Sequence, residues 1–225
     1  MKKTFKLALL AVLAIGLSSC IEITEKAKFN SDYSGTFSLT IDMGQMKQMM
    51  IAMGMDPDSL AGTENPMEGI EQDIREQKAK LEGVRGVSNA RVEADEENFV
   101  VRTLFDFDDI DALNAGIAHI MEEGEISERP VFYKKNGRSI ERTSEQTHVA
   151  QMKSEMMDNP DMEGMDPSMI FGDMSYNVVM EFSNRIDNVS NANYTLSADG
   201  KSTQLRYYIF RPESEGQSFA NKVSF

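Results

Sequence analysis

The chain has 225 residues and carries 37 acidic against 23 basic side chains, which gives a formal net charge of −14 at pH 7. This charge repels nucleic acid and anionic headgroups, so we expect no nucleic-acid partner and no membrane binding through a basic surface. Hydrophobic residues make up 40% of the chain, enough to build a core, and the single cysteine excludes an internal disulfide.

The N-terminus has the layout of an export signal. Three lysines precede an apolar run from Leu7 to Leu17 that is too short to span a bilayer, and two serines follow it. The sequence Leu17-Ser-Ser-Cys20 resembles the lipobox of bacterial lipoproteins. The resemblance implies that residues 1–19 are a signal peptide and that Cys20 carries acyl chains such as palmitate, which would anchor the protein to a membrane. Because Ile rather than Asp stands at position 21, the resemblance favours the outer membrane, at its periplasmic face.

A β-hairpin is predicted directly after Cys20. Apolar and polar residues alternate from Ile21 to Phe29 and again from Thr36 to Ile41, and residues 30–35 between them are rich in turn formers. No Ser/Gly-rich tether separates Cys20 from the first strand, so we expect the folded body to lie close to the membrane.

Short motifs recur in the two halves of the chain. Val87-Ser-Asn-Ala90 returns as Val189-Ser-Asn-Ala192, and Gly54-Met-Asp-Pro57 returns as Gly164-Met-Asp-Pro167. The order of the motifs is kept while their spacing changes, which indicates an old internal duplication.

The duplication would divide a single domain, residues 20–210, into half-repeats at residues 22–107 and 131–210. Each half would contain a strand, a methionine-rich helix, a loop and a hairpin. Residues 211–225 are predicted to be a C-terminal tail.

Two further helices and a hairpin complete the prediction. An amphipathic helix over Pro66 to Leu81 is followed by a connecting helix over Asp109 to Glu123, which Asp108 would cap. The Asn136-Gly137 pair predicts a tight hairpin. The expected fold class is α+β, with an antiparallel sheet and amphipathic helices packed on one of its faces.

Methionine is unusually frequent, at 17 residues, and three interpretations are open. The flexible side chains can fill a core. They can also line an adaptable apolar groove for an acyl chain or a hydrophobic polypeptide, for which Met46, Met50, Met152 and Met156 are the candidates. The third interpretation is a Cu(I) site of His148, Met152 and Met156, whose spacing of four residues places them on one helical face.

No motif of a known catalytic mechanism occurs in the sequence, so we expect no enzyme and no cofactor. The triplet Asp58-Ser59-Leu60 resembles the acceptor for O-glycosylation of exported bacterial proteins, which makes Ser59 a candidate modification site.

The sequence therefore predicts a membrane-anchored lipoprotein that binds a lipid or hydrophobic ligand. The alternative is a structural or accessory envelope protein that docks a protein partner on an exposed edge at Tyr207, Tyr208 and Phe210. The hairpin after Cys20, the turn from Tyr33 to Gly35 and the Asp199-Gly200 hairpin also resemble the small lipid-interacting lipoprotein domains of the LppM type.

Overall fold

The computed structural model describes residues 21–52, 54, 70–121, 130–158, 168 and 171–225, and only the backbone at residues 49, 50 and 70–74. Cys20 and Ser59 therefore lie outside the described residues. Within the described ranges, no helix is both long enough and apolar enough to cross a bilayer.

The described strands form two sheets, of which the larger has seven strands. All its neighbouring strands are antiparallel except the central pair β1 and β7, which runs parallel. In spatial order the strands are β3 (Val87–Asp95), β4 (Val100–Phe107), β2 (Gly35–Asp42), β1 (Glu22–Phe29), β7 (Ser175–Phe182), β10 (Ser202–Tyr208) and β9 (Thr195–Leu196).

The smaller sheet has four antiparallel strands. Their spatial order is β5 (Tyr133–Asn136), β6 (Ser139–Arg142), β11 (Asn221–Ser224) and β8 (Asn188–Val189). The hairpin predicted at Asn136-Gly137 joins β5 to β6, with Gly137 at a positive φ of 60°. The prediction of a C-terminal tail is wrong, because β11 lies inside this sheet and Phe219 and Val223 are fully buried.

Three of the four described α-helices line one face of the larger sheet, so the α+β fold class is confirmed. The described α-helices are α1 (Gly44–Ala52), α2 (Ile70–Glu82), α3 (Ile110–Met121) and α4 (Thr147–Met157), and a short 3-10 helix spans Pro212–Ser214.

The hairpin predicted after Cys20 is present as β1 and β2. Ile23 pairs with Ile41 and Ala27 pairs with Phe37 on the face that points into the core. Gly35 is required where β2 begins, because a Cβ atom there would lie 1.8 Å from the carbonyl oxygen of Lys28. Alternation of apolar and polar residues thus fixes the register, since a slip of one residue would expose the whole apolar set.

Helix α3 packs closely on the larger sheet. Leu113 and Ile117 are fully buried, and Gly116 approaches β4 so closely that a Cβ atom there would lie 2.5 Å from the ring of Phe105. The predicted cap at Asp108 is wrong by one residue, because it is Asp109 whose Oδ1 accepts a hydrogen bond from the amide of Ala112 at 2.8 Å.

The predicted internal duplication is wrong for its defining motif. Val87 opens β3, an edge strand of the seven-stranded sheet, whereas Val189 lies in β8 of the four-stranded sheet. The two motifs therefore do not occupy equivalent hairpins. Asn89 lies at the bulge of β3 with a positive φ of 51°, whereas Val189 ends the two-residue strand β8.

An aromatic layer fills the space between the two sheets. The ring centroids of Phe29 and Tyr133 are 5.7 Å apart, and those of Phe182 and Phe225 are 4.8 Å apart. Tyr176 stacks on Phe219 at 5.5 Å. These pairs join the centre of the larger sheet to the smaller sheet by apolar contact.

A buried ion pair crosses the same layer. Glu25 on β1 and Arg142 on β6 have fully buried side chains, and the guanidinium donates from Nε to Oε1 at 2.8 Å and from Nη2 to Oε2 at 3.0 Å. The hydroxyls of Tyr133 and Tyr176 donate to the same carboxylate at 2.6 and 2.9 Å. Burial raises the pKa of Glu25, but Arg142 and the hydrogen bond from Tyr133 outweigh burial and hold it below its usual value.

Replacing Arg142 with methionine should lower the free energy of unfolding by about 3–5 kcal/mol, because it leaves the Glu25 carboxylate buried without its cation. Adding Glu25→Gln should recover part of this loss, since the neutral amide removes the buried charge, its oxygen accepts from one tyrosine hydroxyl and its NH2 group donates to the other. Urea unfolding of the single and double variants measures both effects. A double variant that is less stable than Arg142→Met alone would contradict the account.

Candidate functional site

An apolar cavity of about 300 Å³ lies between the larger sheet and three helices. The cavity lies near the end of the sheet at which β1 begins, called here the entry end. Residues that pair across neighbouring strands form this end: Glu22, Asp42, Val100, Ser175 and Tyr208. The cavity is lined by Ile23, Leu39, Ile41, Gln77, Ile120, Met121, His148, Gln151, Met152, Glu155 and Tyr176.

The wall supplied by the sheet is apolar and rigid. Ile23 pairs directly with Ile41 and, on its other side, with Tyr176, so these three side chains share the helix-covered face next to the entry end. The Tyr176 side chain is fully buried, and its hydroxyl is held by Glu25. The buried ion pair therefore fixes one wall of the cavity.

The wall supplied by α4 combines apolar and polar groups. His148, Gln151, Met152 and Glu155 are spaced by three, four and seven residues, which places them on one helical face. Gln151 and Glu155 are exposed, whereas Met152 is partly buried against the core. The cavity thus has an apolar interior and a polar margin on the solvent side, as small-molecule sites usually have.

The structure separates the methionines that were predicted to line one groove. Met152 lines the cavity, and Met121 of α3, which was not predicted, lies beside it. Met46 and Met156 contact the core but are not among the residues that line the cavity. The side chain of Met50 lies outside the described residues. Met46 and Met156 are partly buried and pack against the core outside this cavity, so the structure does not bring Met46, Met152 and Met156 together in one groove.

His148 lies between the cavity and the buried ion pair. Its ring centroid is 5.1 Å from that of Tyr176 and 5.9 Å from that of Phe132. Its Nε2 atom is buried and has no hydrogen-bond partner among the described residues. Burial lowers the pKa of His148 from 6.5 to about 4, so the imidazole is neutral at pH 7.

The three predicted Cu(I) ligands lie on an α-helix, as their spacing predicts. His148, Met152 and Met156 fall on one face of α4, and binding of Cu(I) there stays a prediction. Within the described ranges, no group of three or more His, Cys, Asp or Glu side chains is placed to hold a metal ion.

The predicted docking edge is only partly exposed. Phe210 is buried and its ring lies 6.1 Å from that of Phe171. Tyr207 is half-buried and packs on Phe219 with a centroid distance of 5.3 Å. The edge therefore cannot present Phe210 to a partner, because that ring completes the core at the entry end.

Sequence reasoning missed the groups that organise the site. Glu25 stands in β1 between Ile23 and Ala27 at a position where the alternation calls for an apolar residue. An acidic residue at an inward position requires a buried cation, and this was the signal available in the sequence. Its partner Arg142 lies 117 residues away, at a separation that no local pattern encodes.

Comparison with known proteins finds no matching family model and no matching curated protein. Among solved structures, the chain is similar to the folded domain of the LppM protein of Mycobacterium tuberculosis, determined by NMR. The TM-score is 0.43 at 8% sequence identity, and the match covers 92% of this chain and 89% of that one. The resemblance is weak.

The neutral state of His148 predicts a pH dependence of stability. The unfolded chain binds a proton on this histidine below pH 6.5, whereas the folded protein resists protonation down to about pH 4. The free energy of unfolding should therefore fall as the pH drops through this window. The decline should be shallower in His148→Gln, because this variant lacks the contribution of the histidine and keeps the same acidic residues. Urea unfolding at several pH values between 7 and 4 measures the two slopes, and equal slopes would contradict the assignment.

Proposed function

We propose that this protein is a lipid-anchored envelope protein, attached through acylated Cys20, which binds a hydrophobic ligand in the apolar cavity and catalyses no reaction. The observation that carries the proposal is the place of the cavity at the entry end of the larger sheet. The chain enters the fold there, so the membrane anchor and the cavity share one end of the molecule.

The covalent chain limits the distance between anchor and cavity. Ile23 lines the cavity and follows Cys20 by three residues, so their Cα atoms lie within about 11 Å of each other at 3.8 Å per residue. An acyl chain of the surrounding bilayer is therefore close to the cavity wall. Transfer between the two places exchanges one apolar environment for another and involves little exposure to water.

Size and composition restrict the class of ligand. A volume of about 300 Å³ is at the lower end of the range for ligand sites, which suits one acyl chain or a single apolar side group rather than a whole multi-chain lipid. The thioethers of Met121 and Met152 can repack around chains of different shape. The polar margin at Gln151 and Glu155 would remain in water beside the ligand's polar end.

By this proposal, the protein resides at the periplasmic face of the outer membrane. The resemblance of residues 17–20 to a lipobox supports the anchor, and Ile21 in place of Asp supports the outer rather than the inner membrane.

Filling the cavity should abolish ligand binding. In a soluble form with Cys20→Ser, a fluorescent fatty acid should bind saturably, and adding Met152→Trp should weaken this binding at least tenfold, which corresponds to about 1.4 kcal/mol. Titration followed by fluorescence measures both affinities. The matched control is Met157→Trp, because Met157 lies on the same helix with 57% of its surface exposed.

Two outcomes would contradict the proposed site. Equal loss of affinity in the Met152→Trp and Met157→Trp proteins would show that the ligand does not occupy the cavity. Absence of saturable binding to the Cys20→Ser protein, with its unfolding transition intact, would remove the binding function itself.

The anchor has its own test. Replacing Cys20 with serine removes the only thiol that can be acylated, so the protein should move from the membrane fraction to the soluble fraction of cells. Fractionation with detection by antibody measures the shift, and Ser19→Ala, which keeps the cysteine, is the control. Retention of the Cys20→Ser protein on the membrane would overturn the anchor.

A further inference from the structure

A second cavity, called here the polar cleft, lies at the entry end on the opposite, polar face of the larger sheet. Its volume is about 850 Å³. It is lined by Glu22, Asp42, Gly44, Gln45, Gln48, Asn98, Val100, Asp173, Arg206, Tyr208 and Arg211. Only Val100 among these side chains is aliphatic, so an apolar chain has little to contact there, and the cleft suits a polar ligand.

Two arginines flank one aromatic ring in the polar cleft. The guanidinium carbon of Arg211 lies 4.1 Å from the ring centroid of Tyr208, and that of Arg206 lies 5.8 Å from it. Carboxylates hold each guanidinium in place. Arg206 is paired with Glu22, and Arg211 is paired with Asp173 and, at 3.6 Å, with Glu213. Stacking and ion pairing thus fix two cations beside each other at the wall of the cleft.

Arg206 keeps donor capacity for a ligand, whereas Arg211 would share donors that the carbonyl of Gly172 and the carboxylates of Asp173 and Glu213 already use. Arg206 donates from Nε to Asn177 and from Nη2 to Glu22, and its Nη1 atom has no partner among the described residues. The side chains of Arg206 and Glu22 are 45% and 40% exposed, and ion pairs of such exposure contribute little stability, about 0–1 kcal/mol. A phosphate group can therefore share these donors at small cost.

The acidic side chains of the cleft restrict the ligand further. Two arginines face three carboxylates, those of Glu22, Asp42 and Asp173. The carboxylates would repel a ligand that carries only negative charge, and the two guanidinium groups would repel a ligand that carries only positive charge. A group that carries both a phosphate and an ammonium complements both sets of charges.

We propose that the polar cleft binds the headgroup of a zwitterionic phospholipid such as phosphatidylethanolamine. The phosphate would lie against Arg206 and Arg211, and the ammonium against Asp42. This inference rests on the membrane anchor of the proposed function. Glu22, at the wall of the cleft, follows Cys20 by two residues, so their Cα atoms lie within about 8 Å of each other, and the cleft is held near the headgroups of the anchoring membrane.

The test is flotation of the soluble Cys20→Ser protein with vesicles of defined composition. Vesicles of phosphatidylethanolamine and phosphatidylcholine should bring the protein to the top of the gradient, and free phosphoethanolamine should compete. Adding Arg206→Gln or Arg211→Gln should reduce the bound fraction at least fivefold. Adding Lys28→Gln is the matched control, because Lys28 has a similar exposed ion pair, with Glu181 at 3.4 Å, on the same face at the far end of β1.

The outcomes separate this inference from the proposed function. Vesicle binding that survives Met152→Trp but is lost in Arg206→Gln supports the polar cleft, since the two variants act on opposite faces of the sheet. Equal binding by the Arg206→Gln and Lys28→Gln proteins would overturn the inference, as would stronger binding to vesicles of phosphatidylglycerol alone. Absence of vesicle binding with normal fatty-acid titration would overturn the inference and leave the apolar cavity standing.

Discussion

The fold depends on one buried ion pair between its two sheets. Glu25 lies in β1, a central strand of the larger sheet, and Arg142 lies in β6 of the smaller sheet. Neither side chain is exposed to water. Two unpaired charges at this depth would be strongly unfavourable, so the sheets have to meet in the one arrangement that gives a bidentate pair and two tyrosine hydrogen bonds. Apolar contact between aromatic rings tolerates sliding, and the ion pair does not.

The same interaction reaches the apolar cavity by short steps. Arg142 donates from Nη1 to the carbonyl oxygen of Glu145 at 2.9 Å, and α4 begins two residues later, so the ion pair places the helix that carries His148 and Met152. Glu25 also accepts the hydroxyl of Tyr176, which forms the opposite wall. The buried ion pair therefore contacts residues that position both walls of the cavity.

A second polar contact places helix α3. The side-chain oxygen of Asn114 accepts hydrogen bonds from the backbone amides of Phe132 and Tyr133, at 2.9 and 2.8 Å. These bonds fasten the helix to the first strand of the smaller sheet, next to the tyrosine that contacts Glu25. The helix that supplies Met121 to the cavity is therefore tied to the same layer as α4.

The sequence predicted those parts of the structure that local chemistry determines. The first hairpin, the Asn136-Gly137 turn and the α+β class follow from alternation and turn residues within short windows. The parallel pairing of β1 with β7 joins residues about 150 positions apart, and the strand β11 finds its partners only in the smaller sheet. The predicted duplication failed because four shared residues do not determine which sheet a strand joins.

The candidate site could be predicted only in part for the same reason. Met152 was identified because helical spacing and side-chain type are visible in the sequence. Tyr176, Ile41 and Met121 could not be grouped with it, since they come from β7, β2 and α3, which are far apart in the sequence. The polar cleft likewise combines residues from β1, α1 and the chain beyond β10.

The most direct test of the account is NMR of the soluble Cys20→Ser protein with isotope-labelled methionine methyl groups, titrated with a fatty acid. The account predicts that the methyl resonances of Met152 and Met121 shift and show contacts to the acyl chain, while that of the exposed Met157 stays in place. Shifts confined to Met157, or contacts between ligand and protein that leave Met152 and Met121 unchanged, would contradict a ligand site between α4 and the larger sheet.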